Sequence, residues 1–136
     1  MADHHYLFPE ALTEAIDIQV QAANEVGSSV MLTRGSMNLG EHQGCLPPQS
    51  TVQTDEQILS DSERVIKAFH QTNEGATVQI VLAPCSTFSV TTSLMTETAN
   101  LARQHGVRLH THLAETEDEN SFCLEMFKMR PLDYLE

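Results

Sequence analysis

Basic residues are scarce: seven lysines and arginines stand against nineteen aspartates and glutamates, a formal net charge of −12. A surface of that sign repels phosphate backbones and anionic lipid, which excludes nucleic acid and membrane surfaces as natural partners and favours a small neutral or cationic substrate. Cysteine is equally thin. Cys45, Cys85 and Cys123 are odd in number, widely spaced and free of any CxxC pair, so neither a disulfide framework nor a zinc knuckle is supported, and reduced thiols fit a cytoplasmic location. No apolar run approaches the ~20 residues a membrane span needs, and Met1 is not followed by the basic segment and apolar core of a secretory signal. Long polar tracts are missing as well. With 40% hydrophobic residues over 136 positions, the chain is expected to be globular and to have one core.

What is present is an alternation of helix and strand. After Pro9, the apolar positions Leu12, Ala15, Ile16, Ala23 and Val26 recur at three- and four-residue spacing up to Gly27, the pattern of an amphipathic helix. Ser29 to Thr33 is a short apolar run of the kind a buried parallel strand uses, ending in Arg34-Gly35-Ser36. About twenty residues from Gly35 to Thr54 follow, rich in glycine and proline and longer than a plain connection, which marks a loop that shapes a site. Thr54 with Gln57 makes a capping-box pattern before a second helix carrying Ile58, Leu59, Val65, Ile66 and Phe69. Val78 to Ala83 reads as another strand, and Leu94 to Ala102 as a helix capped by Ser93 or a neighbouring threonine and stopped by Gly106. Val107 to Glu115 is expected to be a buried strand, followed from Glu117 by a last helix that Pro131 interrupts. Parallel strands joined by helices require right-handed crossovers, and a full (β/α)₈ barrel takes about 250 residues, so the chain matches roughly half of one. Asp3 to Pro9 is polar and aromatic with no strand before it, an expectation of something further upstream.

The chemistry concentrates where the strands end, as in βα folds generally. Alternate residues of a strand share a face, so His110 and His112 project together. His112 with Glu115 offers a metal ligand and a proton carrier; the bland alternative is a core histidine and a solvated glutamate. Arg34 either holds a substrate carbonyl through its forked donors or pairs with one of many acids. Cys85 is a pocket wall sooner than a nucleophile, since no histidine stands near it in sequence to activate it. Ser86 and Ser89 bind a ligand or cap a helix. His4 and His5 are adjacent and face opposite ways in extended chain, so at most one reaches a shared centre.

These residues in this order resemble the metal-dependent amidohydrolase superfamily, in its branch of aromatic deaminases and triazine hydrolases. The resemblance rests on Ala2-Asp3-His4-His5-Tyr6-Leu7-Phe8-Pro9, Thr33-Arg34-Gly35-Ser36-Met37, Ala83-Pro84-Cys85-Ser86 with Phe88-Ser89-Val90, and His110-Thr111-His112-Leu113-Ala114-Glu115, and it is nearest to the 8-oxoguanine-deaminating members. It implies an α/β fold, a partial barrel from about strand two to strand five, with residues 1–136 one incomplete segment. It implies one divalent metal, Zn²⁺, with His112 as its ligand from strand five and Glu115 as the catalytic proton carrier. Arg34, Cys85, Ser86 and His5 are implied as substrate-binding. The family's histidine pair of strand one, histidine of strand six and aspartate of strand eight have no counterpart here. The implied activity is hydrolytic deamination of a purine-type ring such as 8-oxoguanine, with a small aromatic amine as partner and a homo-oligomer open to an unclosed sheet. The alternatives are a hydroxyatrazine-type triazine hydrolase segment and a non-catalytic α/β binding module derived from a half barrel.

Overall fold

Helix α1 (Ala15–Val26) leads into strand β1 (Val30–Ser36), and after a long loop helix α2 (Asp55–Phe69) leads into β2 (Val78–Pro84). Helix α3 (Thr92–His105) leads into β3 (Arg108–Leu109), and α4 (Glu117–Met126) and the short α5 (Pro131–Leu135) follow. The computed structural model describes residues 1–9, 12–43, 45 and 47–136. The strands form a parallel sheet in the order β1-β2-β3, with Val30 opposite Val78, Ser36 opposite Pro84 and Leu82 opposite Leu109. Alternation decides what each strand residue meets. Val30, Leu32, Ile80 and Leu82 belong to the core built with Ile16, Val20, Val65, Ile66 and Ala102 of the helices. Each such side chain, fully buried, contributes about 1.5–3 kcal/mol.

Local signals set the helix ends. Gly27 and Gly106 are left-handed at φ 67 and return their N–H groups to the last helical carbonyls, a conformation glycine adopts without a Cβ penalty. Thr54 and Gln57 complete the capping box of α2, and Thr91, rather than Ser93, caps α3. Pro131 does not break a long helix; it opens α5 as a separate turn, where its missing N–H costs nothing. None of the helices among the described residues is long and apolar enough to cross a membrane.

The segment expected as a buried strand from Val107 differs. Only Arg108 and Leu109 are laddered, both exposed, although His110 and His112 go on donating their N–H groups to Leu82 O and Cys85 O. Among the described residues β3 is an edge of the sheet, which leaves the Arg108 and Leu109 side chains exposed. The opposite edge, at β1, is covered by the first residues of the chain: Met31 N–H bonds Met1 O, Asp3 N–H bonds Met31 O and Gly35 N–H bonds His5 O.

The long loop begins against the turn after β2, where the N–H groups of Asn38 and Leu39 bond Ser89 O. Asn38 fixes it, donating to Asp55 Oδ1 at 2.6 Å and to Thr91 Oγ1 at 2.8 Å while accepting from Thr91 N–H at 2.8 Å. One amide thereby ties the starts of α2 and α3 to the loop, as a segment covering a site requires.

Candidate active site

His112 is held by a single carbonyl. Its backbone N–H and its Nδ1 both lie 3.0 Å from Cys85 O, and Thr111 Oγ1 donates to the same oxygen at 3.3 Å. A carbonyl only accepts, so Nδ1 carries the proton in this contact and the lone pair is left on Nε2. That is the arrangement in which a backbone carbonyl orients a metal-binding imidazole. Cys85 Sγ lies 3.7 Å from the same Nδ1. Burial pushes the Cys85 thiol up from its ordinary range; the Ser89 and Ser86 side chains oppose the shift and the nearby charge of Glu115 adds to it. A thiol held in that form packs as a wall, not as a nucleophile.

His110 shares the face of His112, as alternation demands, and the ring that meets both belongs to His4. His4 stacks on His112 with centroids 4.2 Å apart and meets His110 edge-on at 4.5 Å, while Tyr6 stands edge-on to His112 at 5.6 Å. Burial, then the neighbouring His112 and His110, push His4 down to about 4, so it is neutral near pH 7. Its Nε2 is buried with no hydrogen-bond partner among the described residues.

His5, assigned above to substrate, lies on the other side. Its Nε2 bonds Leu7 O at 2.7 Å, its Nδ1 faces Gln19 at 3.3 Å and its ring packs 4.7 Å from Phe8. Because Gly35 N–H bonds His5 O, the phase of the segment is set by β1, and that phase sends His4 and Tyr6 to the site and His5 to the helices. The approach is close: a Cβ on Gly35 would stand 2.3 Å from His5 O and 2.5 Å from Tyr6 Cα. Gly35→Ala is therefore expected to push the first eight residues off β1 and lower stability by about 1–3 kcal/mol, read by urea denaturation, since the obstructing atoms are backbone.

Arg34 also leaves the pocket. It shares the face of Val30 and Leu32, its side chain is 0% exposed, and its Nε bonds Asp61 Oδ2 of α2 at 2.6 Å. Nη2 donates to Gln53 Oε1 at 2.9 Å, Nη1 donates to Gly35 O, and the guanidinium lies 4.0 Å over the Phe8 ring. Every face of the fork is occupied by protein, so the substrate-binding assignment of Arg34 gives way to a structural one. Ser86 is half-buried in the turn before α3, its Oγ 3.0 Å from Ser89 Oγ, with Ser89 Oγ donating back to Ser86 O.

Glu115 follows Ala114, whose φ of 53 turns the chain out of the strand direction. Its side chain is exposed and lines a cleft with Asn120, Arg130 and Asp133. No group of three or more His, Cys, Asp and Glu converges to hold a metal among the described residues. The segment fits zinc through one oriented imidazole and does not by itself complete a metal site.

The model of the amidohydrolase family matches residues 1–136. The chain is 60% identical over 135 residues to 8-oxoguanine deaminase of Pseudomonas aeruginosa, covering 99% of this chain and 30% of that protein. It is 34% identical over 121 residues to hydroxydechloroatrazine ethylaminohydrolase of Pseudomonas sp. (strain ADP), covering 89% of this chain and 25% of that one. The structure superposes on atrazine chlorohydrolase from Arthrobacter aurescens TC1, complexed with zinc, at a TM-score of 0.91 and 27% identity, over 98% of this chain and 30% of that one. The chain thus spans under a third of the length of the relatives it matches, and its parallel sheet is part of a (β/α)₈ barrel.

Proposed function

From a chain that belongs to the amidohydrolase family, we propose a segment of a zinc-dependent deaminase that hydrolyses the amino group from a purine-type ring such as 8-oxoguanine. The observation that carries the reading is the pair of hydrogen bonds from His112 to Cys85 O, which occupies Nδ1 and leaves Nε2 for a ligand at the end of the strand line. The 60% identity to an 8-oxoguanine deaminase supports the ring class, and zinc in the atrazine chlorohydrolase neighbour supports the metal. His112 would hold zinc through Nε2, the other ligands lying outside these 136 residues. Zinc, when bound, supplies Lewis acidity that brings the pKa of water to about 7.

The remaining work falls to side chains of this segment. Glu115, exposed at the end of the strand line, takes a proton from the attacking water and passes it to the ring nitrogen or the leaving amine. Cys85 and Ser86 form the wall against which the ring lies. His4 and Tyr6 pack on His112 and fix its plane. The loop pinned by Asn38 excludes water from the reacting centre. The partner is a small aromatic amine, and three unpaired thiols agree with the cytoplasm. A triazine hydrolase is the second reading, favoured by the fit to the atrazine chlorohydrolase.

The test is amine release, ammonia from guanine-like substrates and the alkylamine from hydroxytriazines. The 136-residue chain is expected to release neither with zinc added, because one histidine cannot hold the metal in catalytic geometry. A longer protein containing it is expected to turn over 8-oxoguanine faster than hydroxytriazines, and Glu115→Gln to lower kcat by about 10²- to 10⁴-fold. Zinc-dependent release by the short chain that disappears in Glu115→Gln would overturn the segment reading. An inactive longer protein would favour the binding module.

A further inference from the structure

Glu119 is 1% exposed, and a carboxylate so deeply placed is costly unless donors are aimed at it. Its backbone N–H bonds Thr116 Oγ1 at 3.1 Å, so Thr116 caps α4 in the usual way. In an ordinary capping box the carboxylate three residues on returns to the N–H of the cap residue, as Gln57 returns to Thr54 N–H at 2.9 Å in α2. Glu119 does otherwise. Its Oε2 accepts the N–H of Glu115, the residue before Thr116, at 2.6 Å, and its Oε1 has no partner among the described residues. The bond spans a strained place, because Ala114 just before it is left-handed at φ 53, a conformation a residue with a Cβ keeps only when its surroundings enforce it.

One end of this clamp is anchored and the other is not. Helix α4 is fixed on the turn after β2 by Phe122 against Phe88, with centroids 5.0 Å apart, and by Cys123 Sγ donating to Thr87 Oγ1 at 3.5 Å, with Cys123 and Thr87 both buried. Glu115 is exposed, with nothing but this bond on its N–H. The holding therefore runs from α4 to Glu115. We infer that Glu119 is a positioning residue for Glu115: its buried carboxylate grips the Glu115 N–H and fixes where the proton-carrying side chain leaves the turn. Why that position matters rests on the proposed role of Glu115; the grip itself does not.

Residue-resolved hydrogen exchange on the 136-residue chain reads the grip. In Glu119→Ala the Glu115 N–H is expected to exchange about tenfold faster or more, the equivalent of one lost hydrogen bond, while the Glu119 N–H, bonded to Thr116, keeps its protection. Glu119→Gln retains an acceptor oxygen and is expected to restore protection to within about threefold. Unchanged exchange at Glu115 in Glu119→Ala, or a loss over all of α4 that Glu119→Gln does not rescue, overturns the inference. In a longer active protein, Glu119→Ala is expected to lower kcat about 10- to 100-fold with KM little changed, and Glu119→Gln to recover most of it. An unchanged kcat after the grip is lost also overturns positioning. If Glu115→Gln leaves turnover intact, the proposed role of Glu115 fails and the exchange result still decides the grip.

Discussion

Arg34→Met is expected to destabilise the protein by about 3–5 kcal/mol, the range for removing one partner of a buried charge pair. Methionine fills a similar volume and leaves three groups behind. Gln53 Oε1 and Gly35 O lose their donor, and Phe8 loses the cation over its ring, a contact worth about 1 kcal/mol. Asp61 is better off, since Arg64 also bonds it at 2.8 Å and its side chain is 23% exposed. The loss belongs to the lower half of the range for that reason. Burial acts to lower the pKa of Arg34 and Asp61 opposes it, and the group stays charged at any ordinary pH. Arg34→Lys is the informative comparison. It keeps the charge, yet one ammonium cannot reach Asp61, Gln53 and Gly35 O together, and about half the loss is expected to remain. Urea denaturation of the two variants measures both. Equal stability of wild type and Arg34→Met would return Arg34 to the substrate pocket.

The inward place of Arg34 is legible in the sequence: Val30 and Leu32 mark which face of β1 meets the helices, and parity puts Arg34 on that face. His4 and His5 were a different matter. Adjacency showed that only one could reach the site, but the choice depends on the register of the first residues against β1, a tertiary fact with no local periodicity behind it. Helix ends were legible because Gly27, Gly106, Thr54 and Thr116 act through groups within four residues of themselves. Thr116 and Glu119 repeat the spacing of Thr54 and Gln57, so that cap was legible as well. That the carboxylate would bypass Thr116 for Glu115 was not, because it depends on the left-handed turn at Ala114. The burial of β3 was read from apolar content alone, and composition does not say whether a strand is central or at an edge.

That edge sets the second large expectation, a change of assembly state. His110 N–H goes to β2, so by alternation the N–H and C=O groups of Leu109 face the open edge and meet no further strand among the described residues, and Leu109 is 46% and Leu113 38% exposed. Leu132 at 57% and Met126 at 61% extend the apolar surface over α4 and α5. An open strand edge with apolar flanks recruits another copy. The other edge of the sheet is already covered by the first residues, from Met1 to His5, so pairing has one site per chain and closes at a two-fold dimer instead of growing into a fibre. The ladder on offer is short, which keeps association weak. The net charge of −12 opposes it further until salt shortens the Debye length to about 10 Å at 0.1 M. Sedimentation is therefore expected to show mainly monomer at low salt and a growing dimer fraction at moderate salt and tens of micromolar protein. Leu109→Lys, which sets a charge on the edge, is expected to keep the chain monomeric at both. A wild-type monomer at both salts, with one sharp cooperative unfolding transition, would show that the edge is closed by the chain itself, and species larger than a dimer would show that Met1 to His5 do not cover β1 in solution.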